Sequence, residues 1–367
     1  MDNKIEEWLL EHGGPAIHLR LASIDGSKVK SNDVNSIISA LVNIDEVHLI
    51  LNRLDGFQIP GRDKKTLEYL IHSSKDTCIE SFFPLILDMG FKAGIPIFDD
   101  KMAYVADIFN YLYSKEDEHD YCYYYAGMLH RFFFMTGCLF PEVIKSMEDR
   151  LNAIHIAAKE NILDIYQDES KLPKKPKAWA EVRILRDELN PFKLGAEKPL
   201  PNIYDLWALA YYTEICTNTE KLIKIDDIVK YILEPEFQKI REGYGLLWAE
   251  ERRTYYACGW SPTLPLCGSN ACHVRKAPFL LLDYIDFMSL FKISQKSKWF
   301  HDCLNHLEQF KTEKGTYIFP KEYLHKKYID KAFLNDSNMS LKRNERELLK
   351  RELVSTMKML EINKRLT

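Results

Sequence analysis

The chain has 367 residues, enough for one large domain or two ordinary ones; 46% are hydrophobic, 28% charged and 12% aromatic, a globular composition that suits a thick core or an aromatic-lined cavity. A net charge of −4 and a pI of about 6.3 argue against a dedicated nucleic-acid binder. No stretch reaches the roughly 18–20 apolar residues of a membrane span, the opening MDNKIEEWLL has no apolar run after its charges, and the expected setting is the cytoplasm.

Helical signals dominate in chain order. EEWLLEHGG opens on acids and ends on Gly13-Gly14, the charge bias and stop of a short helix. SNDVNSIISALVNI offers Ser31, Asn32 and Asp33 as N-caps ahead of Val34, Ile37, Ile38 and Leu41 at helical spacing. DEVHLILNRL, KKTLEYLIHS, IESFFPLILDMG and KMAYVADIFNYLY continue the pattern. The aromatic run Tyr121–Phe134 carries rings on all sides, as a buried helix does, and only His130 and Arg131 interrupt the densest apolar window. Five prolines between Pro173 and Pro201 then mark a long irregular connection, with one helix expected inside it at AWAEVRILRDEL. In the second half IYDLWALAYYTEIC, IDDIVKYIL, APFLLLDYIDFMSLF and SKWFHDCLNHLEQFKT read as helices. GTYIF is at most a small ribbon before Pro320. The last helix, around Ser340–Ile362, presents Leu349, Leu353, Met357 and Leu360 as one stripe. From Lys321 to Arg365 there are 12 Lys+Arg against 7 Asp+Glu, a basic face suited to an acidic body.

Two ends and one central loop carry a resemblance. WLLEHGGPAIHLRL, YYACGWSPTLP, and GTYIFPKEYL with ELVSTMKMLEI resemble the opening, central loop and ending of a group of uncharacterised bacterial proteins. That group looks like the α/α toroid superfamily of terpenoid cyclases and protein prenyltransferases, with a HEAT-like N-terminal piece. The resemblance implies an all-α fold: helical hairpins in a toroid or incomplete ring with minimal β. Its parts would be a HEAT-like half over residues 1–166, a Pro-rich strap over 167–202 and an α/α half over 203–367. The chemistry of the superfamily is not carried over. LIKIDDIV has Lys224 where the cyclase acid motif needs its first Asp; Asp99, Asp100 and Asp107 have the wrong spacing for a diphosphate-binding magnesium motif. His301, Asp302, Cys303 and His306 point in different directions around a helix and cannot all reach one zinc.

The residues themselves suggest two candidate groups. Trp248, Glu250, Arg252, Arg253, Tyr255, Tyr256 and Trp260 are packed into 13 positions; arginine forks hold carboxylate or phosphate, and aromatic faces hold cations and apolar rings. Asp283 and Asp286 stand i,i+3 on a strongly apolar helix, where acids need a cap, a cationic partner or a site. With Glu250 they are the candidate catalytic acids. Asp205 reads as a helix-start residue and His130 as structural. Cys258, Cys267, Cys272 and His273 lack a paired Cys-x-x-Cys, so buried thiols are expected rather than a metal or redox pair. No cofactor is expected. The leading expectation is a protein that binds or converts a small amphipathic, isoprenoid-like ligand in an aromatic cavity. A HEAT-like scaffold for a protein or peptide and a glycan-processing toroid enzyme are the alternatives; nucleic acid and membrane are not expected partners.

Overall fold

The computed structural model describes residues 3–24, 26–58, 64–73, 77–114, 120–193, 195–265, 279–324 and 347–366. Among these, fifteen α-helices and one two-stranded sheet make an all-α architecture. The helices are α1 (Asn3–His12), α2 (Pro15–Ala22), α3 (Ser31–Val42), α4 (Asp45–Leu51), α5 (Lys64–Ile71), α6 (Ile79–Asp88), α7 (Pro96–Ser114) and α8 (Asp120–Thr136) in the first half. They continue as α9 (Pro141–Lys159), α10 (Ile203–Thr213), α11 (Thr219–Leu233), α12 (Phe279–Met288), α13 (Lys292–Gln295), α14 (Lys298–Glu308) and α15 (Glu347–Leu366).

Contacts between neighbours form a circuit. α1 packs on α2, α2 on α3, α3 on α4, α4 on α6, α6 on α8, α8 on α10, α10 on α12, α12 on α15, and α15 on α1. A second series, α7, α9, α11, α13 and α14, lies against this one and rejoins it at α12. One large core runs through both series, and α8 is buried around its described circumference, as its apolar run predicts. A separate small core closes the circuit: Leu9, Ile17 and Leu21 meet Leu353, Met357 and Leu360, with Leu349 packed alongside. The stripe expected on the last helix is therefore the seam between α15 and the first two helices.

Helix ends show the local logic. Asn202 caps α10 by accepting from the backbone N–H groups of Tyr204 and Asp205, and the Asp205 carboxylate accepts from the Asn202 N–H. This capping box confirms Asp205 as a helix-start residue. Its carboxylate also takes a two-point contact from Arg150 of α9 at 2.9 and 2.7 Å, so the start of α10 is tied to its neighbour. On α3 the expectation fails: Lys30 occupies the N-cap position and no side chain caps the helix.

Two segments differ from expectation. AWAEVRILRDEL forms no α-helix; it holds short 3₁₀ turns at Lys177–Trp179 and Asp187–Leu189 around an extended stretch. There Ile184 bridges Leu246, and Leu185 bridges Tyr166. Long-range backbone pairing outweighs the helix propensity of this composition. The other is a hairpin, β1 (Leu246–Ala249) and β2 (Thr254–Ala257), where no strand was expected. Gly245 makes the close approach: at φ +101 a Cβ would lie 2.3 Å from the carbonyl oxygen of Arg183. GTYIF contributes only a bridge between Lys311 and Tyr317.

No single helix among the described residues is long and apolar enough to cross a membrane; one bent pair, Ser31–Val42 with Asp45–Phe57, passes on length and composition together.

Candidate functional site

Polar side chains gather at two places in this circuit, on α2, α6, α8, α10, α12 and α15. The first is built on Glu80, in the first turn of α6. Its carboxylate accepts from the Tyr204 hydroxyl of α10 and is in contact with Nδ1 of His72, just after α5. The imidazole packs edge-on against Tyr124 of α8 at 6.1 Å and Trp260 at 5.9 Å between ring centroids, and Trp260 lies 5.3 Å from Tyr204. Arg131, about two turns along the same face of α8 from Tyr124, lies over the rings of Phe132, Tyr204 and Trp207 at 4.4, 5.1 and 4.7 Å.

Local backbone places the exposed member. Gly259 and Trp260 both take left-handed conformations, φ +72 and +60. Glycine does so freely; an aromatic residue does so at a cost of about 1 kcal/mol or more, met by surrounding contacts. Here the Gly259 N–H donates to the Gly243 carbonyl and the Ile203 N–H to the Trp260 carbonyl, both at 2.9 Å. The indole is held 41% exposed above the buried Tyr204. Pro84, inside α6, lacks the N–H that would pair with the carbonyl of Glu80, so the turn carrying the carboxylate is released from one helical bond.

Charge follows geometry. Burial pushes the Glu80 carboxyl up, but the His72 hydrogen bond, the Arg131 charge and the Tyr204 hydroxyl outweigh it and hold it below the usual carboxylate range. Burial and then Glu80 push the Tyr204 hydroxyl far up, so it stays a donor. A crevice beyond Tyr204, lined by Tyr124, Phe192, His130 and the Arg150–Asp205 pair, has room for about one water.

The second cluster lies where α2, α6, α10, α12 and α15 meet. Arg20 donates to both oxygens of Glu361 at 2.9 and 2.6 Å. Arg365 donates to the Asp286 carboxylate at 2.5 Å, to the Asp286 carbonyl at 2.7 Å and to Ser289 Oγ at 3.1 Å. Lys358 stands 3.6 Å from Asp88 and 3.8 Å from Asp286. For Asp286, burial raises the carboxyl but Arg365 and Lys358 outweigh it; for Glu361, Arg20 does the same. Both stay below the usual range. Tyr204, Trp207 and Tyr211, at i, i+3 and i+7, mark one face of α10 from the first cluster to the second, where Arg365 lies 6.0 Å over Tyr211.

The candidates read from the sequence scatter over several places. Asp286 is the centre of the second cluster and Trp260 is the rim of the first. Asp283 is half-buried one turn before Asp286, beside Tyr284, whose hydroxyl feels it and Glu242. Trp248 and Tyr255 face each other across the hairpin and pack with Leu172, Trp179 and Val182 of the strap; the Tyr255 hydroxyl donates to the Pro173 carbonyl. Glu250, Arg252 and Arg253 are exposed at the hairpin end, where Arg252 reaches the Tyr256 hydroxyl at 3.4 Å. Hairpin geometry sends alternate residues to opposite faces, so this aromatic and arginine-rich stretch does not line one cavity. Cys258 is buried, which pushes its thiol up; Cys267, Cys272 and His273 lie outside the described residues. His130 is buried against Ser146 Oγ at 3.0 Å, and burial and Arg150 push it down to about 3. Among the described residues no group of three or more His, Cys, Asp or Glu side chains is placed to hold a metal ion.

His72, Glu80, Tyr124 and Tyr204 stand outside the candidates that the sequence offers, and Arg131 enters there only as an interruption of the apolar run. The available signal was a lone charge within an apolar helix, Glu80 in IESFFPLIL and Arg131 in the aromatic run.

The chain gives no significant match to any family model, curated protein or solved structure.

Proposed function

We propose that the protein binds a small amphipathic ligand between His72, Tyr124 and Trp260 and moves a proton on it through His72. The observation that supports this is the Glu80 carboxylate held between His72 Nδ1 and the Tyr204 hydroxyl beneath a tryptophan kept exposed on a left-handed backbone. A carboxylate on one imidazole nitrogen fixes the ring and leaves the other for chemistry. Nε2 of His72 takes no hydrogen bond among the described residues, and its side chain is 36% exposed. In this reading Nε2 accepts a proton from the ligand, and the imidazolium is stabilised by the ionised Glu80. The rings of Trp260 and Tyr124 supply the apolar contact.

The closed circuit of helices supports an α/α toroid as the frame, with the ligand site in that circuit. A cytoplasmic setting accords with the five free cysteines among the described residues.

The test is a fluorescence and thermal-shift screen of small amphipathic compounds against the wild type, Trp260→Ala and His72→Asn. Expected hits bind the wild type, weaken at least tenfold in Trp260→Ala, and keep binding to His72→Asn without turnover. Hits indifferent to both changes would overturn the reading.

A further inference from the structure

Arg131 is 6% exposed, and its Nε is sealed from solvent without a hydrogen-bond partner. No hydrogen bond or ion pair to its guanidinium is found among the described residues; its neighbours are the faces of Phe132, Tyr204 and Trp207 and the more distant charge of Glu80. The terminal nitrogens are not among the sealed, unpartnered atoms, so the little accessible surface the residue has includes them. This is a cation fixed sideways by three rings with its fork open.

Other arginines at the helix contacts, buried Arg20 and Arg150 and half-buried Arg365, are treated differently. Arg20, Arg150 and Arg365 each meet a carboxylate at hydrogen-bond distance. Ring faces attract a cation but accept none of its in-plane N–H groups, so stacking alone leaves the donors unsatisfied. Burial without those bonds is unfavourable, and a planar oxyanion matches the fork at two points. Glu80 does not serve: its contacts run to His72 and Tyr204, and no hydrogen bond or ion pair joins it to Arg131.

We propose that Arg131 is the receptor for an oxyanion, a carboxylate or phosphate group, carried by the ligand of this site. The inference rests on the reading of the His72–Glu80–Tyr204 centre given above. The ligand is then an anion with an apolar or aromatic body: the anionic head on Arg131 between Tyr204 and Trp207, the body against Trp260.

The test uses one phenylalkyl series with the same chain lengths, as carboxylates, as phosphate monoesters and as neutral primary amides. Binding is followed by tryptophan fluorescence and calorimetry on the full chain. The wild type is expected to bind one anionic set at least tenfold more tightly than the amides, and which set wins distinguishes carboxylate from phosphate. Arg131→Gln should erase that preference while leaving amide binding in place, and Arg131→Lys should keep part of it. Circular dichroism of both variants verifies folding, and the lysine variant carries the test if the glutamine variant fails to fold. Equal affinity of acids and amides for the wild type, or an unchanged preference in either variant, would overturn the Arg131 assignment alone. No binding of any member to the wild type would overturn the ligand site itself and the inference with it.

Discussion

Two arginine-bearing clusters lie in the helix circuit, and they handle charge in opposite ways. Around Asp286 and Glu361 the guanidiniums of Arg365 and Arg20 meet carboxylates in register, with Lys358 between two further oxygens. Around Glu80 the carboxylate is taken by a histidine and a tyrosine, and Arg131 is left to rings. A saturated network fixes helices; an unsaturated one retains interaction energy for something that arrives later. The difference separates the structural clasp from the proposed binding site more sharply than burial does, since Arg20 and Arg131 are equally hidden at 4% and 6% exposure.

The largest expected effect tests the clasp. Asp286→Ala takes from half-buried Arg365 its carboxylate and from Lys358 one of two, and should cost about 3 kcal/mol, read by denaturant unfolding. A loss below about 1 kcal/mol would mean that the cluster is solvated and the comparison fails. Acid should come next. His130 is buried neutral with its folded value pushed down to about 3, below the unfolded value, so its contribution is present at neutral pH and is lost as pH falls below about 6.5. Stability should drop by about 3 kcal/mol by pH 4, and His130→Asn should flatten that decline. Asp286 and Glu361 have depressed folded values, so the stability they add is present above about pH 4 and is lost as pH falls through those folded values. A further loss below about pH 4 should persist in His130→Asn.

Arg131→Met sharpens the contrast. Removing an unpaired buried charge while keeping an apolar stem should change stability by less than about 1 kcal/mol, or raise it, in protein without ligand. A cost as large as that of Asp286→Ala would show that stacking alone sustains Arg131. The smallest effect belongs to the hairpin end. Glu250→Ala with Arg252→Ala should shift stability by no more than about 0.5 kcal/mol and leave the ligand screen unchanged.

Much of the scaffold was legible because helices of 10–20 residues repeat their apolar pattern several times. The stripe Leu349, Leu353, Met357 and Leu360 needed no tertiary information. Strands of four residues offer two repeats at most, and Glu250–Arg253 between them has good helix formers, so β1 and β2 left no readable period. The strap failed for a related reason: its backbone follows Leu246 and Tyr166, which the local composition cannot announce. The centre at Glu80 joins residues from α5 to the Trp260 loop, 188 positions apart from His72, and each partner alone looks like ordinary core. Only the isolated charges in apolar helices hinted at it.

Arg20 and Glu361 are separated by 341 positions along the chain, yet they meet at two points. Loop closure over such a span costs only slightly more than over half of it, about 0.6 kcal/mol per doubling, but the search is long. Docking of α15 onto α1 and α2 is therefore expected to follow the packing of α8 with α10, which closes a shorter span of chain. Kinetically, Leu353→Ala should mainly speed unfolding and hardly slow refolding, while truncations in the α8–α10 contact slow refolding. The clasp would thus govern how long the folded state lasts rather than how quickly it is reached.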